Sequence, residues 1–250
     1  MKLPQSFLDR PIAHRGLHDT TAGRAENSLK AFEAAIEAGY GIELDLQPSK
    51  DGVAMVFHDY FMNRLTAKRG PIALRSAESL GRTELLHDGD TIPTFEEVLD
   101  LVAGRVPLLI EFKDQDGGMG KRVGSLEKAA AEVLADYDGD VALMSFNPHS
   151  VAKCQELMPD TPRGLVTAVF DSKGWPLILP KRRKELRAIP DYERVGACFI
   201  SHEAEDLDNP RIQELRADGA TILCWTIKSA EQEAEARHVV HNVTFEGYLA

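Results

Sequence analysis

The run Asn27-Ser28-Leu29-Lys30-Ala31-Phe32-Glu33-Ala34-Ala35-Ile36-Glu37-Ala38-Gly39-Tyr40-Gly41-Ile42-Glu43-Leu44-Asp45-Leu46 decides how this chain folds. Residues 27–38 read as a helix, and Gly39 follows it where a left-handed C-cap favours a residue without Cβ. Asn27 is read first as the helix N-cap, with Ser28 competing, and second as a group that orients a ligand. Residues 41–46 then read as a strand, with Ile42, Leu44 and Leu46 on one face and Glu43 and Asp45 on the other.

The same exchange of short apolar runs and helical stretches recurs along nearly the whole chain, the signature of βα units and a parallel sheet. Strands are expected at 12–16, 41–46, 107–113, 141–146, 163–167, 197–202, 221–227 and 242–247. Helices are expected at 27–38, 94–103, 123–137, 149–158, 181–189, 211–218 and 230–239, with a capping box at Thr94 and Glu97. Eight strands with intervening helices most simply close into a (β/α)8 TIM barrel of the α/β class. No eighth helix follows the last strand, and the N-terminal segment is expected to cover that gap.

A barrel of this kind occupies about 200–250 residues, so the 250 residues are expected to form a single domain, 1–250. Two interruptions break the alternation. Residues 53–58 read as an extra strand after the Lys50-Asp51-Gly52 turn, and 59–92 form a long insertion with only short helical pieces such as 76–80. An insertion after the second barrel strand lies over the C-terminal face, where such barrels keep their active sites.

The net charge of −11 makes nucleic acid an unlikely partner, because an acidic surface repels phosphate polymers. The densest basic run, Lys181-Arg182-Arg183-Lys184, reads as a solvated helix face. Cys154, Cys198 and Cys224 lie far apart and read as buried apolar residues rather than disulfide or zinc ligands. No apolar run of signal-peptide length opens the chain and none is long enough to span a bilayer, so a cytoplasmic protein without stable membrane insertion is expected.

Both faces of a barrel strand are covered, so Glu43 and Asp45 point into the barrel, where an unpaired carboxylate costs several kcal/mol. Glu111 and Lys113 repeat the anomaly at the end of the next barrel strand. Three oxygen donors without a cysteine pair suit Mg2+ or Ca2+ better than zinc. The competing structural explanation is a salt-bridge network, or an edge strand with one solvated face.

His14-Arg15-Gly16 ends the first strand and His58-Asp59 ends the extra one. Either histidine alone could be a hydrogen-bonded core residue, but both fall at the catalytic end of the barrel. Arg15 and Lys113 suit an anionic oxygen group such as phosphate. With one divalent cation, these charges leave a single positive excess, which the single charge of a phosphodiester neutralises. Diester hydrolysis also needs a proton acceptor and a proton donor, and two imidazoles fill both roles.

At these residues the sequence resembles the glycerophosphodiester phosphodiesterase family. The motifs are Ala13-His14-Arg15-Gly16, Glu26-Asn27-Ser28, Glu43-Leu44-Asp45-Leu46, Lys50-Asp51-Gly52, His58-Asp59 with Arg64-Leu65-Thr66, Ile92-Pro93-Thr94-Phe95 and Glu111-Phe112-Lys113. Beyond Lys113 the likeness thins to Ser145-Phe146 and Cys224-Trp225-Thr226-Ile227. The resemblance implies a (β/α)8 barrel, one divalent cation (Mg2+ or Ca2+) on Glu43, Asp45 and Glu111, and acid/base catalysis by His14 and His58. It also implies Arg15 and Lys113 as phosphate ligands and Phe146 and Trp225 as apolar walls for the glycerol end, in a hydrolase that yields glycerol 3-phosphate and an alcohol. A glycerol hydroxyl acting as first nucleophile, through a cyclic phosphate, belongs to the same implication. Family members commonly end the last strand with Thr-Asp followed by Pro; this chain has Thr244-Phe245-Glu246-Gly247, so Glu246 stands in for the acidic residue.

Rival assignments fit less well. An amidohydrolase usually carries two histidines separated by one residue on its first strand, and this strand has one. A metal-independent phospholipase of the same barrel superfamily is disfavoured by the three carboxylates and by the lack of a legible aromatic surface loop. A barrel that binds a phosphorylated metabolite without turnover is the non-enzyme alternative.

Overall fold

A computed structural model gives the structure of the protein, with residues 1–87 and 89–250 described. Its strands are β1 (Ile12–Ala13), β2 (Gly41–Pro48), β3 (Ala54–Val56), β4 (Leu108–Phe112), β5 (Val141–Ser145), β6 (Arg163–Thr167), β7 (Phe199–Glu203), β8 (Thr221–Ile227) and β9 (Asn242–Phe245). Its helices are α1 (Ser6–Asp9), α2 (Leu29–Ala38), α3 (Ala77–Leu80), α4 (Phe95–Val102), α5 (Ser125–Leu134), α6 (Pro148–Leu157), α7 (Pro180–Arg187), α8 (Pro210–Ala217) and α9 (Ala230–Ala236). Except for β3, the strands are parallel, and β1 pairs with both β2 and β9, which closes the ring into a (β/α)8 TIM barrel. Strand β3 lies antiparallel on β2, with Leu46 opposite Val56.

The strand alternation builds two cores. Ile42, Leu44 and Leu46 face outward and pack with Phe32, Phe95 and Val98 beneath the helices. Inside, Ile12, Leu109, Met144, Val166, Phe199 and Leu223 fill the barrel. Gly164 is required there: a Cβ on it would sit 2.4 Å from the Phe199 ring and 2.6 Å from the Phe199 carbonyl oxygen.

Several ends differ from the sequence expectation for identifiable reasons. The first strand stops at Ala13 because Arg15 and Gly16 take φ values of 56° and 78°, turning the chain onto α2. A Cβ on Gly16 would lie 2.9 Å from Phe32 Cδ1, so the turn and the helix are built against each other. Ser28, not Asn27, caps α2, its hydroxyl accepting from the Ala31 N–H; Asn27 sits at φ 58° and its side chain is free for another task. The capping box of Thr94 and Glu97 forms as expected.

The N-terminal segment does not occupy the place of an eighth helix. Helix α1 buries Phe7, in contact with the interior core, and Asn242 Nδ2 fixes it by donating to the carbonyls of Phe7 and Arg10 at 2.7 and 2.6 Å. After β9, Tyr248 packs on Phe245 and donates to Glu233 of α9, while Tyr40 donates to the Ala250 carbonyl. Of the basic run 181–184 in α7, only Lys181 and Lys184 are solvated; Arg182 and Arg183 are half-buried and donate to the carbonyls of Met119 and Trp175.

Between β3 and α4 the chain builds its own small core from Phe57, Met62, Ile72, Leu80, Leu85 and Ile92, packed on Met55. This anchors His58, Asp59 and Arg64 over the C-terminal face. Among the described residues, no helix is long and apolar enough to cross a membrane.

Candidate active site

The parallel register sets Asp45 directly opposite Glu111, and Glu43 precedes Asp45 on the same inward face. Glu43, Asp45 and Glu111 are buried, and each offers an oxygen within 4.8 Å of the others. Asn27 Nδ2 donates to Asp45 Oδ2 at 2.9 Å, so the orienting role, second in the sequence reading, is the one its geometry serves. The left-handed backbone at Arg15 lets its N–H donate to Glu43 Oε2 at 2.9 Å.

The structure brings Arg15 and Lys113 to the site but engages their charges. Lys113 Nζ lies 2.7 Å from Glu111 Oε1 and 3.0 Å from Asp45 Oδ1. Arg15 Nη1 donates to Glu26 at 2.7 Å, and its Nε, 3.4 Å from Asp45, is buried without a hydrogen-bond acceptor.

These contacts divide the carboxylates electrostatically. Burial opposes the charged form of Asp45, yet Lys113, His58 and Arg15 outweigh it and hold its pKa far below the ordinary range. Burial likewise works against the Lys113 ammonium, and Asp45 and Glu111 overcome it. Glu43 goes the other way: burial, then Asp45 and Glu111, raise its pKa well above normal, because Arg15 alone does not compensate it. A buried carboxylate in that position either takes a proton or shares a cation. The all-oxygen donor set and this uncompensated charge fit a hard divalent ion.

Both histidines are oriented by carboxylates. His14 Nδ1 lies 2.7 Å from Glu246 Oε2 and His58 Nδ1 2.7 Å from Asp59 Oδ1. An ionised carboxylate only accepts, so each Nδ1 carries the hydrogen and each Nε2 is left to the cavity. His14 Nε2 is 4.0 Å from Glu43. Burial lowers the His14 pKa to about 4, against the opposing pull of Glu246. Asp59 is held by Arg64, whose guanidinium also grips Glu26, which holds Arg15. An ion-pair chain thus joins His58 to the carboxylate cluster.

His14, Arg15, Glu43, His58, Glu111, Lys113 and Glu246 line one cavity of about 260 Å³, with Asp45 buried beneath it. Phe146 and Trp225, expected as apolar walls, also line it, their rings 5.5 Å apart and the indole N–H donating to the Ser201 carbonyl at 3.1 Å. A larger cavity of about 760 Å³ lies behind Glu246 but includes neither the carboxylate trio nor His58.

Some contributors carry no legible sequence motif. The hydroxyls of Ser201 and Thr244 line the reaction cavity, buried and without partners. Strand alternation is the signal that finds them, since each stands two residues before an inward glutamate, Glu203 or Glu246. Lys228, 3.0 Å from Glu246, has no such signal. An aromatic surface element, not legible in the sequence, is present: Tyr60, Phe61 and Trp175 border a groove of about 520 Å³ that opens beside the cavity.

The model of the Glycerophosphoryl diester phosphodiesterase family matches residues 14–243. A glycerophosphodiester phosphodiesterase of Bacillus subtilis (strain 168) is 30% identical over 242 residues, 87% of this chain and 76% of that protein. One from Bacillus altitudinis is 33% identical over 169 residues, 64% of this chain and 67% of its own. A phosphodiesterase of Oleispira antarctica, solved in complex with the product sn-glycerol-3-phosphate, shares the fold with a TM-score of 0.77 at 22% identity, covering 96% of this chain and 94% of that one. The match across nearly the whole barrel shows that this chain belongs to the glycerophosphoryl diester phosphodiesterase family.

Proposed function

We propose that this protein hydrolyses glycerophosphodiesters to glycerol 3-phosphate and an alcohol, using Glu43, Asp45 and Glu111 as ligands of one divalent cation and His14 and His58 as acid and base. The observation that carries this reading is the convergence of the three buried carboxylates, within 4.8 Å of one another, beside a cavity that Glu43, Glu111 and both histidines line. A bound Mg2+ or Ca2+ supplies charge compensation and polarises a phosphoryl oxygen.

The remaining chemistry falls to side chains. Lys113 has three donors and spends two on Asp45 and Glu111; Arg15 keeps its Nε–H and Nη2 unspent. Lys113 Nζ and Arg15 Nη2 can therefore donate to a phosphate oxygen while Lys113 holds the carboxylates. One neutral imidazole takes the proton of the attacking hydroxyl or water on its free Nε2, and the other, starting as the imidazolium, gives its Nε2 proton to the departing alkoxide. Glu246 and Asp59 fix the tautomers that make this possible. Phe146 and Trp225 offer an apolar wall to the glycerol carbons, and the unpartnered hydroxyls of Ser201 and Thr244 are available to its oxygens. Three free, buried cysteines support a cytoplasmic setting.

Release of glycerol 3-phosphate from glycerophosphocholine, with and without EDTA, tests the reading. Chelation abolishes release and added Mg2+ or Ca2+ restores it, while His14→Ala lowers kcat by about 100-fold or more. Hydrolysis indifferent to both would overturn the mechanism.

A further inference from the structure

We infer that the groove beside the catalytic cavity is a subsite for a hydrocarbon chain carried by the diester. This rests on the hydrolase reading above and names the substrate class it selects. The groove, about 520 Å³, is continuous with the cavity: His58, Glu111, Lys113, Phe146 and Trp225 line both. A diester held at the carboxylates therefore extends into it without crossing a barrier.

The walls are apolar and aromatic. Phe146 packs on Trp225 and Trp175 at ring separations of 5.5 and 4.8 Å, and Trp175 on Phe170 at 5.0 Å. Met119 lines the groove with them. Across the opening, Tyr60 and Phe61 are 46% and 55% exposed, large apolar surfaces that water covers at a cost when the groove is empty. The loop after β6 extends this character, since Leu177 and Leu179, on either side of the buried Ile178, are 86% and 75% exposed.

Aromatic walls also suit a quaternary ammonium, but such cages work best with an uncompensated anion nearby. Here the carboxylates at the groove are spent. Asp59 is shared by His58 and Arg64, and Asp114 accepts from the N–H groups of Gly117 and Met119 and from Asn147 Nδ2. Glu111 is held by Lys113. What remains for a ligand is apolar surface, so an alkyl chain fits better than a cation.

The chain contains two tryptophans, Trp175 and Trp225, and both border the groove, so intrinsic fluorescence reports occupancy independently of turnover. Titration with n-alkyl phosphates should show Kd falling about tenfold to twentyfold from ethyl to hexyl, the gain for half-burying four methylenes. Phe61→Ala should remove most of that gain while the ethyl ester binds as before. A Kd independent of chain length would overturn the inference, as would phosphocholine binding more tightly than its neutral isostere 3,3-dimethylbutyl phosphate.

Turnover then locates the chain: glycerophospho-n-alkyl esters carry it on the leaving alcohol and 1-alkyl glycerophosphocholine on the glycerol, and whichever series shows the higher kcat/KM identifies the occupant. Equal kcat/KM for short and long chains in both series would overturn the inference. Chain-dependent fluorescence without release of any alcohol would instead sink the hydrolase reading and leave the subsite standing.

Discussion

Replacing Glu246 by Gln removes the negative charge opposite His14 Nδ1 while keeping the side-chain size. The bond is 2.7 Å long and links a carboxylate to a largely but not fully buried imidazole, and a hydrogen bond to a charged group is worth about 1.5–3 kcal/mol. Because Gln can also present an N–H to His14, the variant no longer dictates which ring nitrogen carries the hydrogen. If that energy is expressed only as His14 takes on charge in the transition state, each ~1.4 kcal/mol is a tenfold loss, so kcat should fall about tenfold to hundredfold. KM should stay within about twofold, since Glu246 orients a proton carrier and is engaged by Lys228 and His14 rather than by substrate. Steady-state release of glycerol 3-phosphate measures both constants. A double-mutant cycle supplies the decisive comparison: in a His14→Ala background, Glu246→Gln should cost almost nothing further. An undiminished loss in that background, or a loss confined to KM, would show that Glu246 acts on the substrate or through His18, 3.6 Å away, and not by positioning His14.

Glu43→Gln should raise the melting temperature measured in EDTA, because it removes a buried carboxylate whose charged form the fold disfavours, and should abolish the extra stabilisation that Mg2+ or Ca2+ confers; a lowered Tm in EDTA contradicts this. Gly164→Ala forces a Cβ against the Phe199 ring and carbonyl, and differential scanning calorimetry should show destabilisation of about 1–3 kcal/mol, or no folded protein; unchanged stability refutes the packing account. Burial lowers the His202 pKa, so the unfolded chain binds a proton below about pH 6.5 that the native imidazole declines. Stability from this group is therefore complete above that pH and falls as the pH drops, so the gap between urea midpoints at pH 7 and 5 should narrow in His202→Gln, the rest of it belonging to other groups such as His14, and an unchanged gap contradicts the account.

The barrel was legible because its signals are local. Ile42, Leu44 and Leu46 alternate with Glu43 and Asp45, and Gly39 ends the preceding helix at φ 75°. The carboxylate trio was legible for a related reason: charge at a position that alternation sends inward has to be used. Ends were less so. Whether Asn27 or Ser28 caps α2 depends on the turn at Arg15 and Gly16, which packs against a helix not yet formed when the sequence is read locally. Pairings over long separations were hidden altogether. Glu246 meets His14 only because the ninth strand returns to the first, and Arg64 bridges Glu26 and Asp59 only because the insertion folds back over the barrel mouth.

Those pairings change the charge balance that the sequence suggests. Counting Arg15, Lys113 and one divalent cation against three carboxylates leaves a single positive excess for a diester, but the connected network is larger. Its carboxylates are Glu26, Glu43, Asp45, Asp59, Glu111 and Glu246, and its fixed cations are Arg15, Arg64, Lys113 and Lys228. With both histidines neutral, the negative charges exceed the positive by two, and the excess is concentrated at Glu43, the carboxylate whose pKa is driven upward. One divalent cation on the proposed ligands would remove it, which a pure salt-bridge network does not. A phosphodiester then adds a single negative charge with nothing left to meet it, except a proton on one of the two imidazoles. In the proposed mechanism, the proton that neutralises the complex is also the one a general acid must hold before the alkoxide departs, so substrate binding itself would favour the protonation state from which the reaction starts.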